Sequence, residues 1–262
     1  MLELYHSVNS VCAQKVRVVL AEKGLEYREH LMTLRGDQFD PAYMKLNPAG
    51  VVPTLVHDGR PVIESAVILY YLDEAFPDPS LMPQDLHQRA AVRQFNKLID
   101  EYVHNACMTL TFATAFRPWF AGLTAQQIDE RLARSPLKKR TDIKRDVALN
   151  GLDSKFAAEA VGYHVQLLQR MEDALSRGPW LAGKDFSLAD AAVIPYVLRL
   201  DLLKMKGLWE QRRGVEDWYQ RMRARPSVKK EMLERMTEQD CAPFQKLEPD
   251  PWPKVREMAW AS

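Results

Sequence analysis

The 262-residue chain has only three cysteines, Cys12, Cys107 and Cys241. They are far apart and odd in number, which speaks against a disulfide framework and fits a reducing compartment. No Cys/His pair stands at zinc-ligand spacing, so no metal site is expected. Net charge is lacking too: 36 Lys and Arg face 35 Asp and Glu. Nothing in that balance asks for nucleic acid or an anionic membrane. No apolar run reaches the ~18 residues of a membrane span. The first residues, MLELYHS, show neither a basic n-region nor an apolar h-region. No signal peptide is therefore expected, and a cytoplasmic location is. Repeats and low-complexity tracts are absent. What is there, 47% hydrophobic and 27% charged residues, suffices for a sizeable core in one large or two moderate domains.

The most informative stretch is Asn47 to Tyr71, NPAGVVPTLVHDGRPVIESAVILYY. Val52-Pro53 is a candidate cis bond, which only proline accepts readily. Thr54 to His57 reads as a strand, Asp58-Gly59 as a two-residue hairpin turn and Pro61 to Ile63 as the return strand. Glu64-Ser65 then opens a helix with Ser65 as N-cap, and Ile68, Leu72, Ala75 and Phe76 form its apolar face. A helix N-terminus suits a carboxylate. The Glu64 carboxylate beside it suits an ammonium, and Val52, held by Pro53, offers a free main-chain N–H and C=O. An α-amino acid head joined to a short peptide would satisfy all three.

Before this stretch, Leu2 to Tyr5 reads as a strand and His6 to Ser10 as a loop. A helix from about Val11 stops at Gly24, and a second strand runs from Tyr27 to Met32. That is a βαβ unit, expected to be right-handed and parallel. After it, FPDPSLMPQD (76–85) is proline-rich and reads as a linker. From there only helices are expected. One long helix spans His87 to Phe116, and another, capped by Thr124, runs to Arg134. Ser154 to Ser176 is amphipathic. Ser187-x-x-Asp190 resembles a capping box before Ala191 to Leu203, and two helices flank Pro226. Ser135 to Asn150 is ambiguous. The tail from Ala242, with four prolines and Trp252 and Trp260, is expected to be irregular and packed over the surface.

Asn47-Pro48, Val52-Pro53-Thr54-Leu55, Asp58-Gly59, Glu64-Ser65 and Ile68-Leu69-Tyr70-Tyr71-Leu72 together resemble the cytosolic glutathione transferase family. Phe186 to Asp190 and Val215 through Pro226-Ser227 extend the resemblance over nearly the whole chain. It implies an α/β plus all-α fold. Residues 1–76 would form a thioredoxin-like domain (βαβ-ββα), 77–86 a linker and 87–262 an all-helical domain, usually in a homodimer. It also implies glutathione as cosubstrate, a small apolar or aromatic electrophile as partner, and a role in detoxification or in the breakdown of aromatic compounds. Ser187 and Asp190 would serve folding, not catalysis.

A thiol is nearly inert until it ionises. Ser10, at the end of the first loop, stands where serine-type members keep the hydroxyl that favours the glutathione thiolate; it would also cap the helix. Asn9 is a second candidate donor, Ser7 a more distant one, and Tyr5 belongs to the core. Cys12 is the rival, since some members use a cysteine here as a thiol reductase. The isomerase subgroup carries Ser-Ser-Cys, whereas this chain has Ser10-Val11-Cys12. Val52, Pro53, Glu64 and Ser65 would bind glutathione, with Gln38 at its glycyl end; Lys45, near it, reads as a further contact or as a solvated lysine. Val51 stands where several relatives carry a polar residue. Met108, Phe112, Phe116, Trp119 and Phe120, with Tyr102, His104 and Asn105, are candidates for the electrophile pocket, and Trp252 and Trp260 for a lid. The segment from Thr124 to Phe156 exceeds many members. It is similar to bacterial glutathione-dependent β-aryl etherases, which points to ether cleavage. A non-catalytic ligand carrier is the alternative of a different class.

Overall fold

A computed structural model of the chain describes residues 1–260. β1 (Leu2–His6) buries every second residue fully, Leu2, Leu4 and His6, and half-buries Glu3 and Tyr5 on the opposite face. β2 (Arg28–Leu31) lies parallel to β1 on one side, and β3 (Thr54–His57) antiparallel on the other. β4 (Arg60–Val62) closes the sheet in the order β2-β1-β3-β4. The β3–β4 turn is as expected. Asp58 and Gly59 both have positive φ, 48° and 77°, which matches a type I′ hairpin. Pro61 is tolerated because β4 is an edge strand. α1 (Val11–Glu22) and α3 (Ser65–Ala75) cover one face through Val16, Leu20, Ile68 and Leu72. α2 (Pro41–Leu46) covers the other, where Tyr43, Met32 and Val52 pack with Tyr5.

Residues 76–85 contain no helix or strand. The buried Lys23 holds their start: its ammonium donates to the Phe76 and Pro79 carbonyls, each at 2.7 Å, and pairs with Asp73 at 2.8 Å. Helices follow: α4 (Leu86–Leu98), α5 (His104–Ala113), α6 (Ala125–Leu132), α7 (Lys138–Asn150), α8 (Ala157–Leu175) and α9 (Leu188–Leu202). α9 is the centre of the molecule, buried at every position from Leu188 to Leu200, and α1 packs against it. Each of its fully buried large aliphatic side chains contributes roughly 1.5–3 kcal/mol of transfer free energy. Its start is the expected capping box: Asp190 accepts from the Ser187 N–H and O–H, both at 3.0 Å. α10 (Arg213–Ala224), α11 (Pro226–Val228), α12 (Glu238–Gln245) and α13 (Trp252–Trp260) complete the chain.

Several expectations need correction. Ser65 is not the N-cap of α3. Glu64 is, and Ser65 is the first helical residue. The long helix from His87 is not uniform. It changes to a π turn over Ile99–Val103 and stops at Ala113, not Phe116. The second strand is shorter than 27–32, and the helix expected from Ser154 begins at Ala157 after a 3₁₀ turn. Beyond Pro226, α11 passes into a second π turn, Lys229–Leu233. The ambiguous 135–150 segment is helical from Lys138. The tail is not irregular but forms α12 and α13. Pro253 sits in the first turn of α13, where its missing N–H has no partner to lose. Nor do the tail tryptophans form a lid over the candidate site. The Trp252 ring seats directly on Gly207, where an added Cβ would lie 2.0 Å from it, and Trp260 packs edge-on against Trp252.

Candidate active site

Three segments meet at one end of the sheet. β1 ends where β3 begins, with Tyr5 opposite Thr54. The loop 7–10 and residues 52–53 are therefore neighbours. β4 returns to the same end, with Val62 opposite Leu55, and delivers Glu64-Ser65 there.

Val52-Pro53 is cis. Among the described residues, the Val52 N–H and C=O enter no hydrogen bond. The preceding turn is tightly held. Asn47 donates to the Val51 carbonyl at 3.0 Å and to the Thr54 hydroxyl at 3.1 Å. Gly50 has φ +60°, and a Cβ there would lie 2.9 Å from the Phe39 ring. At α3, Glu64 is exposed with φ 68° and ψ 112°. Such a backbone costs about 1–3 kcal/mol in a non-glycine residue and recurs at ligand sites. The first helical bond is Ile68 N–H to the Glu64 carbonyl at 2.9 Å. The N–H groups of Ser65, Ala66 and Val67 are therefore open at the positive end of the helix dipole.

Ser10 caps α1, accepting from the Ala13 N–H at 3.3 Å. A hydroxyl that accepts in this way keeps its own proton to donate. The loop before it is pinned by its carbonyls. Arg17 donates to Ser7 and Val8 at 3.2 Å each, and Arg199 donates to Asn9 at 2.6 Å. Both guanidinium groups are buried. The Asn9 amide faces α12, where its N–H₂ donates to the Asp240 carbonyl at 3.1 Å. Its Oδ1 is buried and, among the described residues, without a partner.

Cys12, in the first turn of α1, is half-buried with its Sγ 3.4 Å from His104 Nδ1 and 3.8 Å from the Tyr196 hydroxyl. Burial pushes the thiol up. The His104 charge and hydrogen bond, the buried Lys15 ammonium and the Ser65 hydroxyl outweigh it and bring the thiol down to about 6. Cys107, buried without such company, is pushed up to about 11.

Gln38 lies in a 3₁₀ turn, its Oε1 accepting from the Gly36 N–H at 3.0 Å. Lys45 is solvent-exposed. Arg134, in the connection after α6, reaches this loop and lies 5.3 Å over the Phe39 ring. Along α5, His104, Asn105, Met108 and Phe112 form a half-buried stripe. Tyr102 does not join it: the π turn sends that ring outward to stack on Tyr163, 4.9 Å away, in a cleft against α8. The Phe112 ring meets Phe116, Trp119 and Phe120, and Phe244 of α12 packs on Phe116 at 5.7 Å. The cover on this side is thus α12. Sequence reasoning missed His104 as a partner of Cys12, α12, and both pinning arginines. Arg199 left a signal, a charge within a run otherwise apolar from Ala191 to Leu200.

Residues 9–75 match the family model for the glutathione S-transferase N-terminal domain, and residues 157–221 that for its C-terminal domain. Together these cover just over half of the chain. The chain belongs to the glutathione transferase family. Among its relatives within the family, Protein LigF of Sphingobium sp. is 29% identical over 248 residues, 91% of this chain and 95% of that one. The crystal structure of β-etherase LigF from Sphingobium sp. strain SYK-6 superposes with a TM-score of 0.78 at 27% identity, covering 89% of this chain and 99% of that one. Glutathione S-transferase Z1 of Arabidopsis thaliana is 48% identical, but over 101 residues, 37% of this chain and 45% of that one. Maleylacetoacetate isomerase of Mus musculus is 40% identical over 99 residues, 37% and 46% respectively. No helix among the described residues is long and apolar enough to cross a membrane.

Proposed function

We propose that this transferase binds glutathione at the sheet end and directs it at an aromatic ether, releasing a phenol. The residues fit the ligand. The free Val52 main chain matches a peptide group, the open N–H groups of α3 with Ser65 match the γ-glutamyl carboxylate, and Glu64 matches its ammonium. Pro53 holds Val52 in place, and Gln38 faces the glycyl end. Bound glutathione supplies a thiol nucleophile. The Ser10 O–H donates to the sulfur and favours its ionised form, and the unpartnered Asn9 Oδ1 accepts from a ligand N–H. The carrying observation is the convergence of Ser10, Val52 and Glu64-Ser65 at one sheet end. The ether version rests on the near full-length likeness to LigF and on the wall that α6 and α7 add beside α5. We place the domain boundary at 77–86, and expect a homodimer and a cytoplasmic location. Ser10→Ala tests the assignment. The thiol pKa of bound glutathione, read by ultraviolet absorbance, should rise by one unit or more (about 1.4 kcal/mol per unit), and turnover should fall with it. An unchanged pKa and turnover would remove Ser10 from the mechanism.

Cys12 with His104 favours a second reading, thiol–disulfide exchange at Cys12. It predicts a Cys12–glutathione mixed disulfide by intact mass after treatment with oxidised glutathione, and turnover lost in Cys12→Ser but not in Ser10→Ala.

A further inference from the structure

The α5 stripe begins at His104, beside Cys12, and ends about 12 Å further on at Phe112, at ~1.5 Å per residue. Arg199 links its far end to the Ser10 loop. One arm donates to the Asn9 carbonyl at 2.6 Å and the other to the Thr111 hydroxyl at 3.3 Å. This half-buried stripe thus runs along α5 past the loop that carries Ser10. α7 packs beside it, Ile143 and Val147 clustering with Met108 and Phe112, and presents two basic side chains. Arg140 donates to the Asn105 side-chain Oδ1 at 3.2 Å. Lys144 lies with its ammonium 4.6 Å from the Phe112 ring centroid.

Lys144 differs from the other basic residues nearby. Arg145, next to it, pairs with Asp129 at 2.6 Å. Among the described residues, Lys144 has no carboxylate within ion-pair distance and no hydrogen-bond acceptor. It is half-buried, and what it faces is an aromatic surface and the Arg140 guanidinium. Burial and Arg140 lower its ammonium to about 8. A cation so placed lacks an anion and can release a proton near neutral pH.

We propose that the electrophile lies along this stripe and that Lys144 forms its oxyanion end, where it takes the phenoxide oxygen of the departing aryl group and protonates it. This role rests on the ether reading given above. As the sulfur–carbon bond forms, the carbon–oxygen bond breaks and its electron pair goes to oxygen. The proton comes from the Lys144 ammonium, which solvent later restores, and the products are a glutathione thioether and a neutral phenol. The ring of the leaving group stacks against Phe112. An unsubstituted phenoxide, with a conjugate acid near ~10 like tyrosine's, is a poor leaving group against an apolar surface. A positioned acid is worth roughly 10²–10⁴-fold there.

The test uses the full-length wild type, K144Q and K144R with aryl ethers whose leaving groups range from 4-nitrophenol to 4-methoxyphenol. Glutathione affinity controls for folding. K144Q should lose roughly 10²–10⁴-fold in kcat/KM on the 4-methoxyphenyl ether and less than ~10-fold on the 4-nitrophenyl ether, whose oxygen needs no proton. K144R should keep binding but not the shallow leaving-group dependence. A second readout needs no turnover: bound 4-nitrophenol, followed by its phenolate absorbance, should ionise at lower pH in wild type than in K144Q. Equal losses on both ethers, or no loss and no spectral difference, would overturn the role. A wild type that cleaves none of the ethers overturns the ether reading, and this role with it. A wild type that cleaves them with the slope of K144Q overturns the role of Lys144 alone.

Discussion

Replacing His104 with alanine should return Cys12 to an ordinary or even sluggish thiol. In the wild type the thiol titrates at about 6, held down chiefly by His104 against the upward push of burial. Without His104, burial is left opposed only by Lys15 and Ser65, and the value should reach about 8.5 or more, that of a free cysteine. At pH 6 the wild type is then about half thiolate and the variant about 0.3%. The more basic thiolate is intrinsically the better nucleophile, by about 10- to 20-fold for a shift of about 2.5 units at a Brønsted slope of 0.4–0.5. The net prediction is a roughly tenfold slower reaction at pH 6 and little difference at pH 7, so the pH midpoint is the diagnostic quantity. The assay is mixed-disulfide formation with an aromatic disulfide from pH 5 to 9, read by intact mass in a Cys241→Ser background. Cys107 stays silent because it is buried and pushed up to about 11. A wild-type midpoint at or above 8.5, or the same midpoint in His104→Ala, would refute the reasoning and with it the exchange reading.

Asp190→Ala should destabilise the protein by about 4 kcal/mol or more in urea unfolding, because it orphans four buried donors at roughly 1–3 kcal/mol each. They are the N–H groups of Leu181 and Ser187 and the Ser187 hydroxyl, each at 3.0 Å, and the Trp218 indole at 2.8 Å. A loss near 1 kcal/mol would contradict it. Stability should also fall in mild acid. Burial first, and for His6 also Arg17, lowers His6 and His164 to about 4. Their folded values lie below the unfolded ~6.5, so the neutral forms stabilise the fold fully above ~6.5 and that stability is lost as pH falls towards 4. Each histidine adds up to about 1.4 kcal/mol per pH unit in this window. His164→Leu should flatten the slope measured between pH 6 and 4.5, and an unchanged slope would count against it.

The parts of the site that were legible in the sequence are local. Asp58-Gly59 demands positive φ, proline alone accepts the cis bond readily, and Ser187 and Asp190 cap a helix three residues apart. Each is set by neighbours along the chain. The parts that were not legible are long-range. Cys12 and His104 are 92 positions apart, and only the packing of α1 against the helical half joins them. The π turn left no mark in composition, yet it decides that His104 faces Cys12 while Tyr102 turns to Tyr163. Ser65 reads as a cap because serine favours that position. The positive φ at Glu64 puts the cap one residue earlier, and serine's preference for the cap position does not reveal that backbone conformation. The tail misled because prolines usually break helices, whereas Pro253 occupies a first turn.

The central claim is that glutathione binds at Val52 and Glu64-Ser65. Calorimetric titration of glutathione into the wild type and into a Glu64→Ala, Ser65→Ala variant tests it most directly. Charge-assisted hydrogen bonds are worth about 1.5–3 kcal/mol each, so the wild type should bind in the micromolar to millimolar range and the variant at least about tenfold more weakly. No binding by the wild type, or equal binding by both, would contradict the account.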